Sequence, residues 1–339
     1  MFNCSVRAKV INDVIKTIDK LSSLAPLHNP PALMGIVTAK QLLPNATQVA
    51  VFDTAFHQTM PDYSYRYAVP NAWYKELGVR RYGFHGTSHL YVSKRAAAML
   101  GKPANKCNLI TMHIGSGASA TAIRNGISVD TSLGMTPLAG LTMGTRPGDL
   151  DPGVVLYVME QLQLSPAQMQ THLSKDSGLK GITECFVDRR DVEENKSTND
   201  LCRLAIDTEV HNVKKYIGAY MAELGHVDAI IFTAGVGEND DYLREKFCEG
   251  LEELGIKLNK EITFINRPVI SSATITAQWS YCGYLFLSVS QYSIVLIMWL
   301  GSVAPNCTST SYRVPSSSAS SKSSDNPSRS PYHRDHLPS

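Results

Sequence analysis

LITMHIGSGASATAIRNGISVDT, residues 109–131, is the stretch on which the fold turns. Residues 109–113 read as one strand, and 119–124 and 127–131 as two more. The last two are joined by Asn125-Gly126, a dipeptide suited to the positive backbone angles of a two-residue hairpin turn. Three consecutive antiparallel strands are implied. Downstream the period changes: 154–162 and 199–224 carry helical patterns, 229–232 is a strongly apolar strand, and a glycine-rich turn then leads into a helix that starts near Asn239 and runs through 254. This is an α/β domain that opens with a strand meander.

Upstream, Val10, Ile11, Val14, Ile15, Ile18 and Leu21 recur at three- and four-residue spacing, the mark of an amphipathic helix ending before Pro26. A short apolar strand, 49–52, ends on Asp53, a carboxylate at the edge where α/β folds place function. The C-terminal part differs in kind. No Asp, Glu, Lys or Arg occurs between Arg267 and Arg313, and 284–304 is apolar apart from a few Ser and Gln residues. After Pro305 the Ser- and Pro-rich composition cannot bury enough surface to offset chain entropy, so that tail is expected to be disordered. The division that follows is 1–103 as part of a first α/β domain, 104–268 as a second α/β domain, 269–304 as an apolar segment and 305–339 as the tail.

The 339 residues are 43% hydrophobic, enough for a sizeable core, and the formal net charge is +2. Such balance gives no electrostatic reason for a nucleic-acid or membrane-surface partner, so an anionic ligand must be held by local groups. The seven cysteines are scattered without a CxxC pair, which fits a reducing, cytoplasmic setting. Arg7 and Lys9 interrupt the first residues, and export is not expected.

Four stretches carry chemistry. In VFDTAFHQTMP (51–61) and RRYGFHGTSH (80–89), Gly83, Gly86, Thr87 and Ser88 surround His85 and His89, a flexible loop of donors beside imidazoles that can bear positive charge. That suits a phosphate; His85 and His89, four apart, could alternatively ligate zinc. In MHIGSGASATAIRNG, His113, Ser116 and Gly117 occupy the turn after the first meander strand, where backbone N–H groups can approach phosphate oxygens. A structural hairpin turn beside a core histidine is the competing reading. In MGTRPGDLDPG (143–153), glycines around Arg146 permit an irregular backbone that points a guanidinium into a cleft, where it can bind carboxylate or phosphate in a fork. Pairing with Asp149 on a surface loop is the alternative. In IIFTAGVGEND (230–240), a strand runs through Gly235 and Gly237 to a helix near Asn239, a ready nucleotide-phosphate site.

In this order, and with APLHNP (25–30), SVDTSLGMTPLAGLTMGTRPGD (128–149) and FTAGVGEN (232–239), the stretches resemble the acetate and propionate kinases of the sugar kinase, Hsp70 and actin superfamily. The resemblance covers about residues 10–254. It implies a two-domain actin-like ATPase fold, ribonuclease H-like, and ATP-dependent phosphorylation of acetate or propionate to the acyl phosphate, with the reverse reaction forming ATP from ADP. By position, Asp53 matches the aspartate that works, indirectly, with Mg2+ and the reacting phosphate. His85 matches the histidine that stabilises the transferring phosphoryl group, and Arg146 the arginine that binds substrate carboxylate and phosphoryl oxygens. His113, Ser116 and Gly117 match the phosphate turn, Asp188, Arg189 and Arg190 the adenosine-contacting segment, and Gly235, Gly237 and Asn239 the second nucleotide loop. His28 matches a further active-site histidine, and a homodimer is implied.

The chain also departs from the pattern. Ser116 stands where the family usually has asparagine. The opening Asn-x-Gly-Ser-Ser-Ser turn, the His-Arg-x-x-His-Gly-Gly segment and the later Thr-Asn-Glu-Glu segment are not found, and beyond about Pro268 nothing matches. An altered reading frame or a wrongly joined gene model would produce such an ending; a membrane span at 284–304 is the weaker alternative, given Ser288, Ser290, Gln291 and Ser293. The expectation is therefore low turnover by this chain, with a noncatalytic nucleotide-binding remnant as the rival reading.

Overall fold

The computed structural model describes residues 7–9, 12–22 and 29–256, with three further strand segments at 274–276, 286–287 and 294–298. All of them fall within the unit Met1–Leu300. The chain opens with β1 (Arg7–Lys9), α1 (Asn12–Lys20), α2 (Asn29–Leu42) and β2 (Gln48–Phe52). Short helices α3 (Asp62–Tyr65) and α4 (Asn71–Leu77) precede α5 (Gly86–Met99). The meander is β3 (Leu109–Ile114), β4 (Ala118–Arg124) and β5 (Ile127–Thr131). Helices α6 (Pro152–Gln161), α7 (Pro166–Lys175), α8 (Gly178–Thr183), α9 (Arg189–Glu194) and α10 (Asp200–Leu224) follow, then β6 (Ala229–Thr233), α11 (Ala234–Asn239) and α12 (Asp241–Cys248). The last strands are β7 (Thr274–Thr276), β8 (Phe286–Leu287) and β9 (Ile294–Met298).

The predicted meander forms. Asn125 and Gly126 both take positive φ, 52° and 78°, so the hairpin turns as its dipeptide requires. One sheet has the order β5-β4-β3-β6-β7, with β3 antiparallel to β4 and parallel to β6; the other has the order β1-β2-β9-β8. Both faces of the central strands are covered. Ile110, Met112, Ile114, Ile230 and Phe232 pack with Val213, Ile217 and Tyr220 of α10 on one side. On the other, Leu109, Ile123, Ala229 and Ile231 pack with Val92 and Ala96 of α5. Because side chains alternate along a strand, Thr111 and His113 share the α5 side with Leu109, as Ser119 and Thr121 share it with Ile123. That face is therefore apolar at one end and polar at the other, and the polar end carries the candidate site.

Two expectations are corrected. The segment expected as a glycine-rich turn, 234–239, is itself helix α11; α12 follows at once and ends at Cys248 rather than running through 254. Its first turn is held by the Glu238 carboxylate, whose Oε1 accepts from Thr233 Oγ1 (2.8 Å) and Ala234 N (3.2 Å), and Arg244 Nη1 donates to the carbonyls of Gly237 and Glu238. The loop expected at Gly83–Ser88 gives way at Gly86 to the first turn of α5. The tail 305–339 and most of 269–304 lie outside the described residues. Among those that are described, no helix is long and apolar enough to cross a membrane.

Candidate active site

Strand β2 delivers Asp53 to the N-terminus of α5. Asp53 Oδ2 accepts from the backbone N–H of His85 at 2.6 Å, and its carbonyl accepts from Gly86 N at 2.8 Å. His85 itself sits in the left-handed region, φ 57°, which turns the chain into the helix. Gly86 is required by this approach, since a Cβ there would lie 2.2 Å from the Asp53 carbonyl oxygen.

Four imidazoles gather on the polar end of the α5 face. His85 Nδ1 and His89 Nε2 meet the same hydroxyl, Ser119 Oγ, at 2.7 and 2.8 Å. His89 Nδ1 reaches Thr111 Oγ1 at 2.7 Å, and His113 Nδ1 reaches Ser88 Oγ at 2.9 Å. His85 and His113 stack with centroids 4.1 Å apart. His57, fully buried, pairs Nε2 with the Phe84 carbonyl (2.9 Å) and Nδ1 with Ser128 Oγ (3.0 Å). A carbonyl can only accept, so Nε2 carries the proton and Nδ1 accepts.

Burial pushes the His57 and His113 pKa values down to about 4. His85 and His89 are held well below the usual imidazole range by burial first and by the neighbouring imidazoles second. The expectation of positively charged histidines is thus corrected: at neutral pH these rings are neutral, each a donor of one N–H. The zinc alternative gains no support, because His85 and His89 converge on Ser119 and no group of three metal-ligating side chains occurs among the described residues.

Arg146 approaches the same place from the loop between β5 and α6. Its Nη1 donates to the Pro137 carbonyl at 2.8 Å, it is 9% exposed, and its charge depresses the pKa of His85. Burial lowers its own pKa to about 10, which leaves it charged at neutral pH. The loop is fixed by its own carbonyls: those of Met143, Gly144 and Thr145 accept from the N–H groups of Leu179, Lys180 and Ser177 at 2.9–3.1 Å. Asp149 instead accepts from Gly140 N (2.8 Å) and the Tyr216 hydroxyl (2.6 Å).

Beside this cluster lies a cleft of ≈ 920 Å³, with His113, Ser116, Asp188, Arg189, Arg190, Gly235 and Asn239 of the predicted set on its wall. Gly117 and Gly237 are buried and off the wall. Asp53, His85 and Arg146 are also off the wall, and His85 meets it through the stacked His113. Asp188 caps α9 by accepting from Arg190 N, and it pairs with the Arg190 guanidinium at 2.6 Å. His28 lies outside the described residues.

Sequence reasoning named Ser88 as a donor but missed Ser119, Thr111 and Glu209. Glu209 had left a signal: on α10 it falls in the buried stripe Cys202, Ala205, Ile206, Val213, where a carboxylate is out of pattern. It pairs there with Arg189, Nε to Oε2 at 2.7 Å, and burial raises its pKa to about 7 although Arg189 opposes the rise.

The model of the acetokinase family matches residues 4–285. This chain belongs to the acetokinase family. The match extends past residues 10–254 at both ends and runs to residue 285, which corrects the expectation that nothing matches beyond about Pro268. It is 55% identical over 261 residues to an acetate kinase of Trichlorobacter lovleyi, covering 77% of this chain and 62% of that relative. It is also 55% identical over 249 residues to an acetate kinase of Geobacter sulfurreducens, covering 73% and 59%. The chain thus spans about three-fifths of the length of these curated relatives. Among solved structures, Porphyromonas gingivalis acetate kinase superposes with a TM-score of 0.76 at 44% identity, over 81% of this chain and 71% of that one. A propionate kinase from Francisella tularensis gives 0.76 at 39% identity, over 80% and 71%. The acetokinase chain therefore has the α/β, actin-like ATPase fold, and the meander that decides it is the start of its larger described sheet.

Proposed function

We propose that this chain transfers a phosphoryl group between ATP and a short-chain carboxylate, acetate or propionate, giving the acyl phosphate and, in reverse, ATP from ADP. The observation that carries the reading is the stack of His113, on the cleft wall, against His85, which lies in the field of Arg146: a nucleotide-sized cleft thereby adjoins a buried cation and a cluster of N–H donors. Transfer of this kind needs positioning and neutralisation of the equatorial oxygens more than a covalent catalyst. The acceptor carboxylate is already ionised at neutral pH, so no strong base is needed.

In this reading Arg146 holds the substrate carboxylate and the phosphoryl oxygens, and neutral His85 donates one N–H to the group in flight. His113, Ser116, Gly117, Asp188, Arg189, Arg190, Gly235, Gly237 and Asn239 hold the nucleotide, and His28 adjoins the substrate. Asp53 offers a half-buried carboxylate with His85 N as one partner. That fits Mg2+, which takes one or two carboxylates together with phosphate oxygens and water; when bound it would neutralise charge on the β- and γ-phosphates. The split into domains at 103/104, a cytoplasmic setting and a homodimer belong to the same proposal. A dimer is supported by α6, which buries none of its side chains and exposes Val154, Leu156 and Tyr157.

The rival is a nucleotide-binding protein without turnover. Purified chain supplied with ATP, Mg2+ and acetate, with acyl phosphate trapped by hydroxylamine, decides between them. Trapped product supports the kinase. Binding of ADP with no product at high enzyme concentration sinks it in favour of the rival.

A further inference from the structure

His85, Ser119, His89 and Thr111 form one unbroken line of hydrogen bonds. His85 Nδ1 meets Ser119 Oγ at 2.7 Å, Ser119 Oγ meets His89 Nε2 at 2.8 Å, and His89 Nδ1 meets Thr111 Oγ1 at 2.7 Å. All four side chains are buried, and those of Ser119, His89 and Thr111 are sealed from solvent at 0% exposure. Burial also keeps both rings neutral at neutral pH, so each has a single N–H proton to place. A hydroxyl likewise has one proton to give. Ser119 therefore donates to one of its two imidazoles and accepts from the other, and the line runs as a whole in one of two directions.

Thr111 decides between them. In the first direction the Thr111 hydroxyl donates to His89 Nδ1, His89 Nε2–H donates to Ser119 Oγ, and the Ser119 hydroxyl donates to His85 Nδ1. Every proton along the line then has an acceptor. In the second, His85 Nδ1–H donates to Ser119, Ser119 donates to His89 Nε2, and His89 Nδ1–H donates to Thr111. The Thr111 proton is then left over, because His89 is the only group hydrogen-bonded to Thr111 Oγ1 among the described residues. A buried donor left unmade disfavours this second direction by about 5- to 150-fold.

We propose that Thr111, acting through His89 and Ser119, sets the tautomer of His85 and keeps its proton on Nε2. The three are positioning residues. The inference rests on the reading of His85 as a donor to the transferring phosphoryl group and supplies what that reading requires. With Nδ1 engaged by Ser119, only Nε2 can donate, and an Nε2 without its proton would present a lone pair to phosphoryl oxygens. Thr111, midway along β3, is off the cleft wall, so its replacement does not act by touching the nucleotide.

The test is NMR of the full chain with 15N-labelled histidine at neutral pH, which separates a protonated ring nitrogen from a bare one, alongside turnover of ATP and acetate. Signals are assigned by their loss in His85→Gln and His89→Gln. In the unaltered chain both rings are expected to carry the proton on Nε2. Thr111→Val, which keeps the shape of the side chain and removes the hydroxyl, should let the Nδ1–H form of His85 appear. It should also lower kcat by about twofold or more with KM for ATP and acetate unchanged. Thr111→Ser, which keeps the hydroxyl, should restore both. A proton on Nδ1 of His85 in the unaltered chain overturns the proposal, as does a tautomer balance that Thr111→Val leaves unmoved. If Thr111→Val does not fold, the ring nitrogens of the unaltered chain decide alone, Nε2–H on both rings supporting the proposal and Nδ1–H on either overturning it. Failure of the unaltered chain to form acyl phosphate overturns the kinase reading instead, and the ring nitrogens still report whether Thr111 sets the tautomer.

Discussion

His85 stacks on His113 with ring centroids 4.1 Å apart and planes inclined by 27°, and this contact joins the two halves of the site. His113 faces the cleft, whereas His85 is tied through its backbone to Asp53 and through its ring to Ser119. A perturbation on either side is expected to reach the other through these two rings.

Ser119→Ala removes one hydroxyl that serves two imidazoles. His85 Nδ1 and His89 Nε2 both lose a partner while remaining buried, so the expected loss of stability is about 1–3 kcal/mol, measured by urea unfolding. Rotation of His85 should also lower phosphoryl transfer by about tenfold or more. A variant with unchanged midpoint and unchanged turnover would show that Ser119 does not orient the pair.

Gly86→Ala should be costly where Gly218→Ala is not. At Gly86 the new Cβ meets a backbone oxygen at 2.2 Å, which forces Asp53 and α5 apart; at Gly218, within α10, it meets nothing within 4 Å. The first is expected to destabilise by about 1–3 kcal/mol, the second to be neutral or to stabilise by up to about 1 kcal/mol. Equal thermal midpoints for the two variants would contradict the packing described.

The histidine cluster should make the protein acid-sensitive. His57 and His113 titrate near 4 in the folded state, and His85 and His89 lie well below their usual value of 6.5. The unfolded chain therefore binds more protons as pH falls from about 6.5, and stability drops between about 6.5 and 4; the fully buried His57 alone accounts for roughly 3 kcal/mol over that span. Glu209 works in the opposite sense, since its raised value, about 7, means that the folded state takes up a proton first as pH falls. Asp130, Glu238 and Asp240, also raised by burial, act in the same sense as Glu209, but the larger depressions of the four histidines leave a net loss on acidification, to be measured by denaturant melts at stepped pH. A melting midpoint that rises from pH 6.5 to 4 would refute the burial of the cluster as a functional unit.

Arg146→Ala should lower turnover about 100- to 1,000-fold while nucleotide affinity changes little, because Arg146 lies off the cleft wall and a buried cation acts chiefly on charge in the transition state. Lysine should not restore activity, since the planar fork is lost. Loss of nucleotide affinity in place of turnover would move Arg146 from the reacting group to the nucleotide.

The amino-acid sequence by itself determined the meander of residues 109–131, the hairpin at Asn125-Gly126, the long helix after Asn199 and the family. Strand alternation, helical period and turn dihedrals are properties of neighbouring residues, and the motif residues stand in unbroken runs. Tertiary structure decided what depends on groups far apart in the chain. Whether the histidines are charged is set by packing that brings His57, His85, His89 and His113 onto one end of a sheet face. Residues 234–239 are different: they coil through short-range contacts, Glu238 folding back onto Ala234 and Arg244 holding the last carbonyls, which the glycine pattern did not announce. The meeting of Arg189 with Glu209, on helices α9 and α10, by contrast follows from how those helices pack, and a single charged residue in an apolar stripe could announce that something faces it but not what.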